Sequence, residues 1–305
     1  MRLRALALLG ALLLTGCPHT ADEKTKEPKC PPPPEPEHQA VVVGTIGRYH
    51  LVESRYPLAK LAETMAVFKP DLVLVAVRVD AFRQDELEDA SFEMTYVQHL
   101  AKARGVALEP IDWWREADLG APPPPVEPAD EIEIERRETE VLRATRMFTF
   151  EQANGAELGE RVLLAQNAAL RHRAGDPVTM RRRAWIQELA ADAALRHGRP
   201  KRVLAYVDVF DRPAIDAVLG GVGYAPRPPA EVLAKSTEAL AVPDLPPDLV
   251  TKWRAQSERA KARGEKATTP AEKELWTDRA KVLDVAVEKR GGCCVTQSTF
   301  APARP

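Results

Sequence analysis

The sequence predicts an α/β protein: a mainly parallel sheet with helices on both faces, a helical insertion and a helical C-terminal extension. Three observations carry this. First, four aliphatic runs, AVVVGTI at 40–46, DLVLVAV at 71–77, VALEPI at 106–111 and RVLAYVDV at 202–209, lack strict polar/apolar alternation, as strands covered on both faces do. Second, helical segments lie between the first three of them, so neighbouring strands pair in parallel through crossovers. Third, apolar residues recur at helical spacing between the third and fourth runs and again after the fourth, with no further strand pattern.

Element by element, the chain opens MRLRALALLGALLLTGC. Arg2 and Arg4 form a basic start, and the apolar run that follows is too short to span a bilayer, which takes roughly 20 residues; it has the length and flanks of a secretory signal. Residues 18–39, PHTADEKTKEPKCPPPPEPEHQ, are Pro-rich with almost no apolar content. They cannot bury enough surface to offset ordering and should form a disordered tether. After the first strand, 55–68 reads as a helix. Pro70 then breaks the chain before the second strand. Residues 90–103 form the next helix, Gly105 ends it, and the third strand follows. APPPPVEP at 121–128 is a Pro-rich break, and 130–198 reads as helical throughout, including a charged solvated face in EIEIERRETEVL. A short helix at 212–219 follows the fourth strand. Gly220, Gly221 and Gly223 lie beyond that helix and so read as a stop and turn, not a phosphate cradle. Helices at 229–241, 247–263 and 270–290 complete the chain. The last opens at Thr269-Pro270-Ala271-Glu272, a capping box with proline at the first helical position. The organisation is thus a signal at 1–16, a tether at 17–39, an α/β domain at 40–225 with the insertion at about 130–198, an extension at 226–290 and a disordered tail at 291–305.

The formal net charge is −2 and becomes −4 once Arg2 and Arg4 leave with the signal, which gives no reason to expect nucleic-acid binding. Of the four cysteines, Cys30 and the adjacent Cys293 and Cys294 cannot all pair within one chain. A bridge from Cys30 to the tail, a strained vicinal bridge and unpaired thiols all stay open. No CxxC or neighbouring histidine suggests zinc. The chain contains no Gly-x-Ser-x-Gly elbow, no phosphate loop and no His-Glu-x-x-His helix, so no catalytic residue, metal or cofactor is assigned.

Ligands of open parallel sheets bind outside the carboxyl ends of the strands. There this sequence places Gly44, Thr45 and Gly47, then Arg78, Asp80 and Arg83, then Asp112, then Asp208 and Asp211. Trp113 and Trp114 either form a lip over that crevice or pack under the insertion. His50, alone in a loop, reads as a surface residue with a lesser chance of serving the crevice.

Two resemblances emerge from these motifs. Leu14-Thr15-Gly16-Cys17 resembles the lipobox of bacterial lipoproteins, which implies cleavage before Cys17, diacylation of that cysteine, and a lipid-anchored life in the cell envelope. Pro18 after the cysteine favours the outer membrane, facing the periplasm. Val43-Gly44-Thr45-Ile46-Gly47, Val75-Ala76-Val77-Arg78-Val79-Asp80-Ala81-Phe82-Arg83 and Val207-Asp208-Val209-Phe210-Asp211 resemble the strand-end motifs of TraB/GumN/TIKI and ChaN-like proteins over about 40–225. Arg181-Arg182-Arg183 resembles that group's arginine-bearing helix. The resemblance implies two histidines and a glutamate as metal ligands of a hydrolase, but those places hold Gly47, Arg78 and Asp211. Glycine has no ligand atom, and arginine opposes a divalent cation. The expectation is therefore a degenerate, non-catalytic binding or scaffolding protein, with Arg78 or Arg83 neutralising Asp208 and Asp211. The alternative is a divergent metal-dependent hydrolase built on Asp80, Asp112, Asp208 and Asp211.

Overall fold

In a computed structural model, the structure describes residues 36–114, 125–145, 149–172, 177–234, 245–293, 295 and 300. The signal, Cys17, Cys30, Cys294 and nearly all of the tether lie outside these residues.

The α/β architecture is as the sequence predicts. In chain order the elements are β1 (Gln39–Thr45), α1 (Ala59–Phe68), β2 (Leu72–Arg78), α2 (Val79–Gln84), α3 (Phe92–Ala103), β3 (Ala107–Asp112), α4 (Pro128–Thr145), α5 (Phe150–Ala153), α6 (Ala156–His172), α7 (Pro177–Arg196), β4 (Arg202–Asp208), α8 (Arg212–Gly221), β5 (Ala225–Pro226), α9 (Pro229–Ala234), α10 (Pro247–Lys266) and α11 (Pro270–Glu288). The five strands are all parallel, in the order β3-β2-β4-β1-β5. β5 has only two residues, on an Ala-Pro pair at the sheet edge, and such a strand leaves no periodicity to read. α2 follows β2 without a loop and so hides behind the strand pattern.

Alternation along the strands divides the core in two. Val41, Val43, Val73, Val75, Leu204 and Tyr206 face α1 and α3, with Trp253 of α10 and Leu283 of α11 in the same cluster. Ala40, Val42, Leu72, Leu74, Val203 and Val207 face Ile186 and Ala190 of α7 and Ile215 and Leu219 of α8. Both faces of the central strands are covered, which is why their sequences show apolar runs and no alternation.

The chain leaves β1 towards β2 but leaves β4 towards β5, in opposite directions along the sheet. The two connections pass to opposite faces, α1 on one and α8 on the other, and adjacent strands of this kind open a crevice at their carboxyl ends. Gly44 lets the two pack closely: a Cβ there would meet the Val209 side chain at 3.0 Å. At the other end of the chain, Thr269 Oγ1 accepts the Glu272 N–H at 3.1 Å to start α11, and the Glu272 carboxylate accepts from the Thr268 N–H at 3.0 Å. This is a capping box shifted by one residue on its return leg. The helix expected at 229–241 is described only as far as Ala234.

The tail, expected to be disordered, lies against the domain where it is described. The Val295 N–H donates to the Leu51 carbonyl at 3.1 Å, and Phe300 is buried with the Arg48 guanidinium over its ring. Cys293 is disulfide-bonded, and its partner lies outside the described residues.

Candidate functional site

The carboxyl ends of the strands bring Thr45 level with Asp208, and Arg78 level with Asp112. The four aspartates there do not form one cluster. Arg182, projecting from α7, sits between two of them. Its Nε lies 3.0 Å from Asp112 Oδ1, and its Nη2 donates to Asp112 Oδ2 at 3.2 Å and to Asp211 Oδ2 at 2.8 Å. Nη1 donates to Asp211 Oδ1 at 3.2 Å. The space around this triad admits no water-sized volume, 0 Å³. Burial acts to lower the Arg182 guanidinium, but Asp112 and Asp211 together outweigh it and hold it above the ordinary arginine value. Burial also raises Asp112, with Arg182 opposing the rise.

The arginine against Asp211 is therefore Arg182, and the expectation of Arg78 or Arg83 is corrected. α2 begins immediately after Arg78 and turns Arg83 outward, where it is exposed. Arg78 Nε instead lies 2.7 Å from Asp80 and 3.5 Å from Asp89, with the Trp114 ring 4.3 Å from its guanidinium carbon. Trp113 stacks on Trp185 of α7 and so packs against the insertion, Trp114 lies on Arg78, and neither lines the crevice. Among the described residues no three His, Cys, Asp or Glu side chains are grouped to hold a metal ion.

His50, expected at the surface, is fully buried. Nδ1 lies 2.9 Å from the Tyr56 carbonyl, and Nε2 accepts from the Ile46 N–H at 3.2 Å, which assigns the neutral Nδ1–H tautomer. Burial pushes its pKa down, in keeping with a neutral ring. The hydrogen-bonded loop around it explains the error: the ring replaces backbone partners that the short turn after β1 cannot supply. Gly47 has φ +54°, a conformation that disfavours a side chain at this position. Gly44 anchors a further polar set: its N–H donates to Asn154 Oδ1 at 2.7 Å, and its carbonyl accepts from the Tyr56 hydroxyl at 2.8 Å.

Asp208 stands apart from the triad and opens onto a crevice of about 290 Å³. The crevice lies between the turn after β1, the start of α3, the turn after β4 and one side of α11. Tyr49, Phe92, Val209, Val282 and Leu283 are among its apolar and aromatic wall. Asp208 accepts the Phe210 N–H at 2.9 Å, and Gln166 of α6 donates to the Phe210 carbonyl, which fixes the turn. Surrounding protein pushes Asp208 up to about 7, with Asp211 and Glu93 adding repulsion and Arg182 opposing it. Its side chain is itself exposed to the crevice, which moderates that effect. Glu93, in the first turn of α3, is 0 % exposed, and neither carboxylate oxygen has a hydrogen-bond partner among the described residues.

Sequence reasoning missed Glu93, Asn154, Arg279 and the acid pair Glu88–Asp89. Glu88 is 1 % exposed and lies 3.0 Å from Arg259 and 3.2 Å from Arg263, both on α10. Only the mixed charge of α10 could have hinted at this clamp. Compared with known proteins, the chain matches no family model, and neither a curated protein nor a solved structure matches it significantly.

A folded-state carboxyl raised to about 7 binds its proton more tightly than the unfolded chain does, near 3.9. Stability therefore falls as pH rises from about 4 to 7, because ionising Asp208 is costlier in the fold. Asp208→Asn should leave the urea midpoint nearly unchanged at pH 5 and raise it at pH 8 by on the order of 1 kcal/mol, a figure discounted for the solvent in the crevice. Asp89 and Asp216, both raised to about 6, cancel in the comparison of parent and variant. An equal effect at both pH values would refute the assignment.

Proposed function

We propose that this chain is a lipid-anchored lipoprotein of the bacterial cell envelope, a degenerate relative of the TraB/ChaN-like proteins that binds a small ligand in its strand-end crevice and carries no hydrolytic metal. The observation that carries this reading is Arg182: a fixed cation joined to Asp112 and Asp211 occupies the place where a divalent ion would need to sit. The anchor rests on Leu14-Thr15-Gly16-Cys17 and the basic start before it. No helix among the described residues is long and apolar enough to cross a membrane, so any attachment through them would have to be of another kind.

One observation favours the metal-dependent hydrolase: Glu93 and Asp208 are acids without a cationic partner within hydrogen-bond reach. Calorimetric titration with zinc, manganese, magnesium and calcium separates the two readings. We expect no micromolar binding. Binding that disappears in an Asp208→Asn, Asp211→Asn double variant would restore the hydrolase. For the anchor, Cys17→Ala should either leave the precursor uncleaved or release the protein from the detergent phase on fractionation; a cleaved protein with unchanged partitioning would overturn the lipid assignment.

A further inference from the structure

Two charged groups in the crevice have no charged partner among the described residues, and they carry opposite signs. Arg48 and Asp278 neutralise each other at 2.8 Å, and Glu88 is held by Arg259 and Arg263. Asp208 has one hydrogen-bond donor, the Phe210 N–H. Arg279, on α11, rests over the Trp276 ring and makes a long 3.5 Å contact to the Glu88 carbonyl; no carboxylate lies within ion-pair distance of it among the described residues. Desolvation pushes its guanidinium down, so it sits where water solvates it poorly. Asp208 belongs to the sheet and Arg279 to the C-terminal hairpin. They line the same cavity without pairing, and its remaining wall is chiefly apolar and aromatic.

Arg279 is half-buried, where an unpaired charge is costly unless a counter-charge reaches it, while Asp208 is exposed on the opposite wall and open to a cationic partner. One ligand can supply both partners, provided that it carries an ammonium and a carboxylate on an apolar frame. We infer that the crevice binds a small zwitterion of this kind, its ammonium at Asp208 and its carboxylate forked by Arg279. The volume, at the lower end of the roughly 300–1,000 Å³ of small-molecule sites, suits a ligand of one or two residues' size. Guanidinium geometry suits a carboxylate, which it can hold through two parallel hydrogen bonds. An ammonium at Asp208 would also draw its carboxyl back towards ionisation against the opposing charges of Asp211 and Glu93, so affinity should rise with pH up to about 7.

This inference rests on the crevice being a ligand site, and the test separates the two. The full-length protein in detergent is titrated calorimetrically with L-phenylalanine and the dipeptide Phe-Leu, and with each after N-acetylation or C-amidation. At least one zwitterion should bind about ten- to a hundredfold more tightly than both of its blocked forms, the range of a charge-assisted hydrogen bond. Asp208→Asn should abolish the effect of N-acetylation, and Arg279→Met that of amidation. Arg279→Lys, which keeps the charge and guards against a folding artefact, should retain part of the preference. A blocked form that binds as tightly as its zwitterion overturns the ligand class. The same titrations on Ala90→Trp, which fills the cavity, together with a panel of uncharged aromatic fragments, test the site itself. Fragments that bind the parent but not Ala90→Trp, without preference for zwitterions, defeat only the ligand class. No binding by any compound defeats the crevice as a ligand site as well.

Discussion

Arg182→Met should destabilise the protein by about 3 kcal/mol, the lower end of the roughly 3–5 kcal/mol seen when one partner of a buried ion pair is removed. The lower end applies because the Arg182 side chain is 31 % exposed, whereas Asp112 and Asp211 are 13 % and 8 % exposed. Without the guanidinium, the carboxylates after β3 and β4, on either side of β2, lose the one cation that hydrogen-bonds them both. Methionine keeps much of the arginine stem's packing, so the loss reports charge and not volume. Against a total stability of roughly 5–15 kcal/mol, such a loss is easily read from the urea midpoint at constant m-value. The companion experiment places Asp112→Asn and Asp211→Asn in the same background. Most of the lost stability should return, because two amides no longer repel each other. If the single variant unfolds at the parent midpoint, Arg182 is a bystander and the reading of a site converted to structure fails.

That arginine also marks the limit of what could be read in advance. Strands with both faces covered advertise themselves by composition, so β1, β2, β3 and β4 were legible to within a residue or two. The positions of Asp112, Asp208 and Asp211 at strand ends followed directly. Which cation would meet them did not. Arg78 and Arg83 were near in sequence, but α2 starts at Val79 and carries one to Asp80 and Asp89 and the other into solvent. Arg182 comes from a helix some thirty residues before Asp211 and seventy after Asp112, and only the packing of α7 against β3 sets that meeting. Its neighbours Arg181 and Arg183 share the same composition, and no periodicity chooses among three consecutive arginines. His50 was misread for a related reason: nothing in Gly47-Arg48-Tyr49-His50 shows that the turn after β1 folds its fourth residue inward. The crevice roof was equally hidden, since the C-terminal helices read as a separate extension until α11 lies over the strand ends.

The second large effect concerns that roof. Trp253 of α10 is 0 % exposed, donates its indole N–H to the Phe92 carbonyl at 3.1 Å, and sets its ring 5.7 Å from that of Phe92. It pins the α10–α11 hairpin to the start of α3, where Thr95 and Gln256 also exchange a buried hydrogen bond. Trp253→Ala removes one of the two buried tryptophans of the hairpin and leaves a cavity, at an expected cost of about 3–5 kcal/mol. The Phe92 carbonyl loses its donor as well, which takes the estimate towards the upper end. The consequence should not be uniform. The parallel sheet keeps α7 and α8 on one face and α1 and α3 on the other. The hairpin keeps the Thr95–Gln256 bond, the Glu88 clamp to Arg259 and Arg263, the Arg48–Asp278 pair and its apolar contacts near Leu283, most of them at its edges. Hydrogen exchange in α10 and α11 should therefore accelerate far more than in β1, β2 and β4, through local opening of the hairpin ahead of the domain. Because Arg279, Val282 and Leu283 sit on α11, the crevice should lose its roof in the same variant, and zwitterion binding should weaken with it. Trp253→Phe, which keeps the ring but not the N–H, should restore most of the protection. Uniform acceleration across the sheet and the hairpin would instead show that the two unfold as one unit, and the crevice would then be a rigid feature of the core.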